Sequence, residues 1–254
     1  MARIITIANQ KGGVAKTTTA HCMATGLTHK KYKVLAVDTD PQGNLSYIMG
    51  ADLSRPGAYE LFRGDIIAPD AVQSIEQGPI ISGNSKLSRL SIELTGKDAN
   101  NMLSEVLEPF KAVYDFIIID TPPTLGVLSV NALSAANDII IPMAADILAL
   151  QGISQLYGAI KMVRQRFNPS LNISGILLCR YSDRTVLGRD LKQAVADRAQ
   201  RMGTKLFLTT IREGVSLREL QTKKISPFKT ILKSRPANDY LDFINEYLEE
   251  GNNG

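Results

Sequence analysis

Cysteine is scarce in this chain of 254 residues. Cys22 and Cys179 are the only two, too few for a disulfide framework and in no spacing that suits a metal ion. Two reduced thiols fit a cytosolic protein. Long apolar stretches are missing as well. A run such as Ile139 to Met143 is strand-sized, far short of the ~18 residues a membrane helix needs, so no span is expected. The opening MARIITIANQKGG leads from a short apolar segment straight into glycines, which reads as a first strand rather than a signal peptide. Internal repeats and low-complexity tracts are absent too. What is present is an ordinary globular composition, with 44% hydrophobic residues.

The net charge of +4 says little, but its distribution says more. Between Arg201 and Ala237 nine Lys/Arg face only Glu213 and Glu219, and from Asn238 onward there are five acids and no Lys or Arg. A basic stretch followed by an acidic end is the main charge asymmetry.

Apolar β-branched runs alternate with helical patterns. Strands are expected at Ile4–Ala8, Val34–Val37, Leu87–Ile92, Phe116–Ile119, Ile139–Ile141, Gly175–Leu178 and Lys205–Leu208. Helices are expected at Thr17–Lys30, Asp98–Phe110, Gly126–Ala135, Gly152–Phe167, Arg189–Arg201 and Asp239–Glu249. Several strands are apolar throughout, as in parallel strands covered on both faces. The alternation predicts an α/β fold, a doubly wound and mainly parallel sheet with helices on both faces, whose ligands bind at the strands' carboxyl ends. Residues 1–250 are expected to form one domain. The Pro- and Gly-rich segment Gly50–Gly83 reads as short helices and loops on it, and the last four residues as a disordered tail.

After the first strand comes Gln10-Lys11-Gly12-Gly13-Val14-Ala15-Lys16-Thr17-Thr18, then a helical pattern. Strand, glycine loop and helix N-terminus together make an anion site, where backbone N–H groups converge and the helix dipole favours negative charge. Lys16 can reach phosphates as a point charge and Thr17 can offer its hydroxyl to Mg²⁺. Two aspartate blocks end apolar strands. One is Asp38-Thr39-Asp40-Pro41-Gln42-Gly43-Asn44; the other, Phe116-Ile117-Ile118-Ile119-Asp120, stops at Pro122-Pro123. A carboxylate beside a phosphate suits orientation of water, and one at a strand end suits a water-bridged magnesium ion.

Gln10 and Ala15 stand where the general G-x-x-x-x-G-K-[ST] loop has glycines, whereas K-G-G-x-x-K-[ST] is matched at every fixed position. The loop thus resembles the deviant Walker A motif of the ParA/MinD superfamily. The D-x-D-P-Q-G-N block, the Asp120 strand and the stretches Ile139–Gln155 and Gly175–Thr185 extend that resemblance over most of the chain, closest to the short Soj-like ParA proteins. It implies an ATPase with ATP and Mg²⁺ as cofactors. The nucleotide would be held by Lys11, Gly12, Gly13, Val14, Ala15, Lys16, Thr17, Thr18 and Asp120, and the metal by Thr17, Asp40 and Asp120. Lys11, Lys16 and Asp40 would act in catalysis: Asp40 on the attacking water, Lys11 across a homodimer interface on the partner's nucleotide. Asp38 is expected to hold the loop or the metal's water shell. Residues around Arg180 to Asp183 are expected near the adenine, and Gln151 stands where the family commonly has glutamate.

Thr210–Glu219 resembles a divergent form of the family's block after the last core strand. In ParA-type proteins the dimer's basic surface binds DNA without sequence preference, and a ParB-like activator stimulates hydrolysis. Arg212, Arg218, Lys223, Lys224, Lys229, Lys233 and Arg235 are the candidates here, with a merely solvated basic face as the alternative. With the loop starting at residue 11, no operator-reading domain is expected ahead of it. A cytoplasmic, nucleoid-associated partitioning ATPase is therefore the first reading. A MinD-like or cargo-positioning ATPase that does not act on DNA is the second. The terminal amphipathic stretch is acidic and would be repelled by anionic lipid, so no membrane partner is expected.

Overall fold

The computed structural model describes residues 1–93, 100–145, 149–182, 186–229 and 234–251. Its strands are β1 (Arg3–Ile7), β2 (Val34–Asp38), β3 (Val72–Ile75), β4 (Gly78–Ile81), β5 (Phe116–Asp120), β6 (Asp138–Ala144) and β7 (Asn172–Cys179). They form one sheet in the order β3-β4-β2-β5-β1-β6-β7, parallel except for the β3–β4 hairpin. The helices are α1 (Lys16–His29), α2 (Asn44–Met49), α3 (Ala58–Arg63), α4 (Leu90–Glu93), α5 (Met102–Leu107), α6 (Val127–Ala135), α7 (Ala149–Arg166), α8 (Val186–Arg201), α9 (Val215–Thr222) and α10 (Arg235–Gly251).

The central strands are apolar because both faces are covered. Ile4, Leu35, Ile117 and Ile119 point into one core, shared with α5, α6 and α7. Ile5, Ile7, Ala36 and Ile118 point into the other, shared with α1 and α10. The apolar side of the acidic α10 is spent here: Tyr240, Phe243 and Ile244 are fully buried. The contact with α1 is close, since a Cβ on Gly26 would lie 2.4 Å from Ile244 Cδ1.

Two expected strands are corrected. Leu87–Ile92 is not extended: a 3-10 turn over Ser85–Arg89, capped where the Lys86 N–H donates to Asn84 Oδ1 (3.0 Å), runs into α4. The strands lie instead in the segment expected to be loops, as β3 and β4. Pro79 is tolerated because pairing with β2 begins only at Ile80. Lys205–Leu208 lies beside β7 but forms a single isolated bridge, Leu206 with Ile176. The Glu246 carboxylate accepts the N–H groups of Leu208 (2.7 Å) and Thr209 (2.9 Å), drawing the chain off the sheet toward α10.

Candidate nucleotide site

The loop between β1 and α1 sits at the carboxyl edge of the sheet, pinned by Asn9. Its side chain accepts from the Lys11 N–H (3.0 Å) and donates to the Pro142 carbonyl of β6 (2.8 Å). Gly13 and Ala15 take left-handed backbone angles, φ 74° and 72°. For Ala15 that costs about 1–2 kcal/mol, a strain typical of ligand-binding loops. A Cβ on Gly12 or Gly13 would meet nothing within 4 Å, so the loop forms an open concavity. Lys16 is buried and its ammonium donates to the Lys11 carbonyl (3.1 Å), which turns it back over the loop. Burial lowers its pKa, and the carboxylates of Asp120 and Asp40 work against that.

Three carboxylates gather beneath. Asp38 and Asp120 are register partners at the ends of β2 and β5. Asp38 is satisfied: it accepts from Ser46 N–H (2.8 Å), Ser46 Oγ (2.7 Å) and Asp40 N–H (3.1 Å). Its role is to shape the loop that carries Asp40. Asp40 in turn accepts from Gln42 N–H (2.9 Å) and lines the cleft. Asp120 differs from both. It is fully buried, and neither of its oxygens completes a well-formed hydrogen bond among the described residues, although the Thr17 hydroxyl and the Lys16 ammonium lie near enough to favour its charged form. Burial first, then the charge of Asp38, pushes its pKa well above the carboxylate range. An anionic group so placed is costly unless a cation completes it.

Above the loop opens a cleft of about 420 Å³, within the range of small-ligand sites. One end is Gly12, Gly13, Ala15 to Thr18 and Asp40; the other is walled by Ile211, Leu217, Pro236 and Tyr240. Nothing local in the sequence marks that apolar wall. It assembles from the segment between α8 and α9, from α9 and from α10, which meet the phosphate loop only in the fold.

Of the other site residues, Val14 is buried beneath the loop and Lys11 is half-buried at its start. Arg180 and Glu213 meet at the cleft's edge, whereas Asp183 lies outside the described residues. The side chain of Gln151 also lies outside them. The basic candidates disperse. Arg212 and Arg218 line the cleft. Arg212 grips Asp239 (2.7 Å) and Lys229 pairs with Glu76. Lys223, Lys224 and Arg235 are exposed, the Lys224 ammonium lying 4.5 Å from the Tyr47 ring centroid. Lys233 lies outside the described residues.

Among the described residues no group of three or more His, Cys, Asp or Glu is disposed to hold a metal by itself. Magnesium bound alongside substrate phosphates requires only one or two carboxylates, so the orphaned Asp120 beside Lys16 and the open loop fit a magnesium–nucleotide pair. Both thiols are buried, and burial pushes Cys179 up to about 12, which makes it unreactive. No helix among the described residues is long and apolar enough to cross a membrane.

Comparison with known proteins follows the same lines. A family model described as an AAA domain matches residues 2–173. The sporulation initiation inhibitor protein Soj of Bacillus subtilis is 35% identical over 257 residues, covering 99% of this chain and 100% of that protein. The chromosome-partitioning ATPase Soj of Thermus thermophilus is 37% identical, covering 98% of this chain and 94% of that protein. Among solved structures, cobyrinic acid a,c-diamide synthase of Mycobacterium smegmatis with a bound ATP analogue and magnesium has a TM-score of 0.86 and 32% identity, over 98% of this chain and 95% of that one.

Proposed function

Because the chain belongs to the AAA-domain family of P-loop ATPases, with the Soj and ParA chromosome-partitioning proteins among its relatives, we propose that it is a magnesium-dependent partitioning ATPase that works as an ATP-sandwiching homodimer. The observation that carries this reading is Asp120, a fully buried carboxylate beside Thr17 and Lys16 of the phosphate loop whose oxygens complete no well-formed hydrogen bond. Lys16 and the N–H groups of residues 12–18 bind and orient the triphosphate. Thr17 and Asp120 would hold the metal, with Asp40 as a further candidate ligand. Bound magnesium supplies neutralisation of charge on the phosphoryl oxygens. Asp40, fixed by Asp38 and Ser46, orients the attacking water. Lys11 stabilises the transferring group of the partner's nucleotide. Mutual completion of the two sites explains why ATP would favour the dimer.

On this reading the dimer rides non-specifically on DNA through the exposed Lys223, Lys224 and Arg235. A ParB-like partner triggers hydrolysis and release at the nucleoid, in the cytoplasm. One observation favours the second reading, a cargo-positioning ATPase that does not act on DNA. Arg212 and Lys229 are already neutralised by Asp239 and Glu76, which thins the basic surface. The core chemistry is tested by phosphate release together with light scattering. Magnesium-dependent turnover and a dimer seen with ATP but not ADP are expected. A monomer at saturating ATP would refute the sandwich.

A further inference from the structure

Arg180 follows the last residue of β7 and holds a left-handed backbone, φ 55°. Arginine has no intrinsic reason to adopt that conformation, and non-glycine residues held there mark places where the surroundings impose it. Here the effect is to turn the side chain back across the cleft. One guanidinium nitrogen donates to the Gly13 carbonyl in the phosphate loop (3.4 Å) and the other to Glu213 Oε1 on the opposite wall (3.0 Å). Arg218 stands behind Glu213, 3.9 Å from the same oxygen. All four residues line the cleft. A planar fork with two separated donors can span such a gap in a way that lysine cannot.

We propose that Arg180 and Glu213 form a strap across the mouth of the nucleotide cleft that slows escape of the bound nucleotide, and so sets how fast ADP is exchanged after turnover. The proposal rests on the nucleotide-binding reading above. Both side chains are about half exposed, 51% and 55%, so the pair is weak enough to open in each cycle. An exposed pair of this kind corresponds to a change of about two- to five-fold in an off-rate. Arg218 gives Glu213 somewhere to go when the strap opens.

The test is the dissociation rate of a fluorescent ADP analogue with magnesium, chased by excess ADP in a stopped flow. Arg180→Asn, which tolerates the left-handed backbone, and Glu213→Gln should each raise the rate about two- to five-fold. The double variant should be no faster than the faster single one, since either change alone already opens the strap. The wild-type rate should climb with salt until it meets that of the variants. Single variants that leave the rate unchanged, or whose effects multiply in the double, would overturn the strap. Failure of the wild type to bind the analogue at all would instead strike at the nucleotide reading.

Discussion

A buried carboxylate whose oxygens complete no well-formed hydrogen bond, held under the phosphate loop with only the Thr17 hydroxyl and the Lys16 ammonium near it, is expensive for the ligand-free fold. Asp120 is that residue, and its raised pKa fixes the sign of two predictions. Its folded pKa lies above the unfolded one, so the nucleotide-free protein is penalised as pH rises through the folded value and relieved on acidification. Asp120→Asn should therefore raise the melting temperature of the nucleotide-free protein at pH 8 by at least about 2–4 °C, the shift for about 1 kcal/mol in a chain of this size. The gap should close toward pH 4, while the stabilisation conferred by magnesium and ATP disappears. A variant that melts lower without nucleotide would show that something already satisfies the carboxylate. Asp40→Ala should keep nucleotide binding and lower turnover by about 100-fold, the scale at which loss of positioning is felt. Behind Asp40 the packing leaves no slack: a Cβ on Gly83 would lie 2.6 Å from the Asp38 carbonyl oxygen. Gly83→Ala should thus cost about 1–3 kcal/mol in urea unfolding and weaken nucleotide binding with it. The Asp38 and Asp40 block could be read from the chain because its residues are adjacent. Ser46 and Gly83, which hold it, could not, because nothing local distinguishes them.

At the scale of elements, what was legible followed periodicity and length. Lys16–His29 and Val127–Ala135 match their expected helices to within a residue; both are buried nearly all round rather than striped, and their length between clear strands marks them. The β3–β4 hairpin escaped notice because each strand has four residues and one contains Pro79. A hidden junction also joins elements here. His21 of α1 is buried, its Nε2 2.8 Å from Gln77 Oε1 in the β3–β4 turn, while Gln77 Nε2 donates to the carbonyls of Ile48 (2.8 Å) and Lys224 (3.0 Å). Burial drives the His21 pKa down to about 4. The folded state then binds fewer protons than the unfolded state between about pH 4 and 6.5, so stability present above that window is lost as pH falls through it. At pH 5 this group alone should cost about 2 kcal/mol relative to pH 7. Urea midpoints at the two pH values, for wild type and His21→Gln, check it: the variant should lose less on acidification, and equal losses would remove His21 from the account.

The whole molecule brings together what the chain keeps apart. Residues 12–18 and 211–218 share one cleft although about 200 positions separate them, which is why Arg212 and Arg218 looked from the sequence like part of a continuous basic patch. Folding divides that patch: two arginines turn to the cleft, Lys229 is paired, and Lys223, Lys224 and Arg235 remain on the surface. If the partitioning reading holds, the surface cations of a single protomer are too few for tight DNA binding, and doubling them in the ATP-bound dimer becomes the switch. Binding to random-sequence duplex should then require ATP and fall steeply with salt, by a log–log slope close to 0.9 per phosphate neutralised. Lys223→Ala with Lys224→Ala should flatten that slope by about four in a dimer that uses all four lysines, leaving ATP turnover in the absence of DNA intact. Anisotropy across a salt series measures it. ATP-dependent dimers that ignore DNA at low salt would transfer the chain to the cargo-positioning reading, with its nucleotide chemistry unchanged.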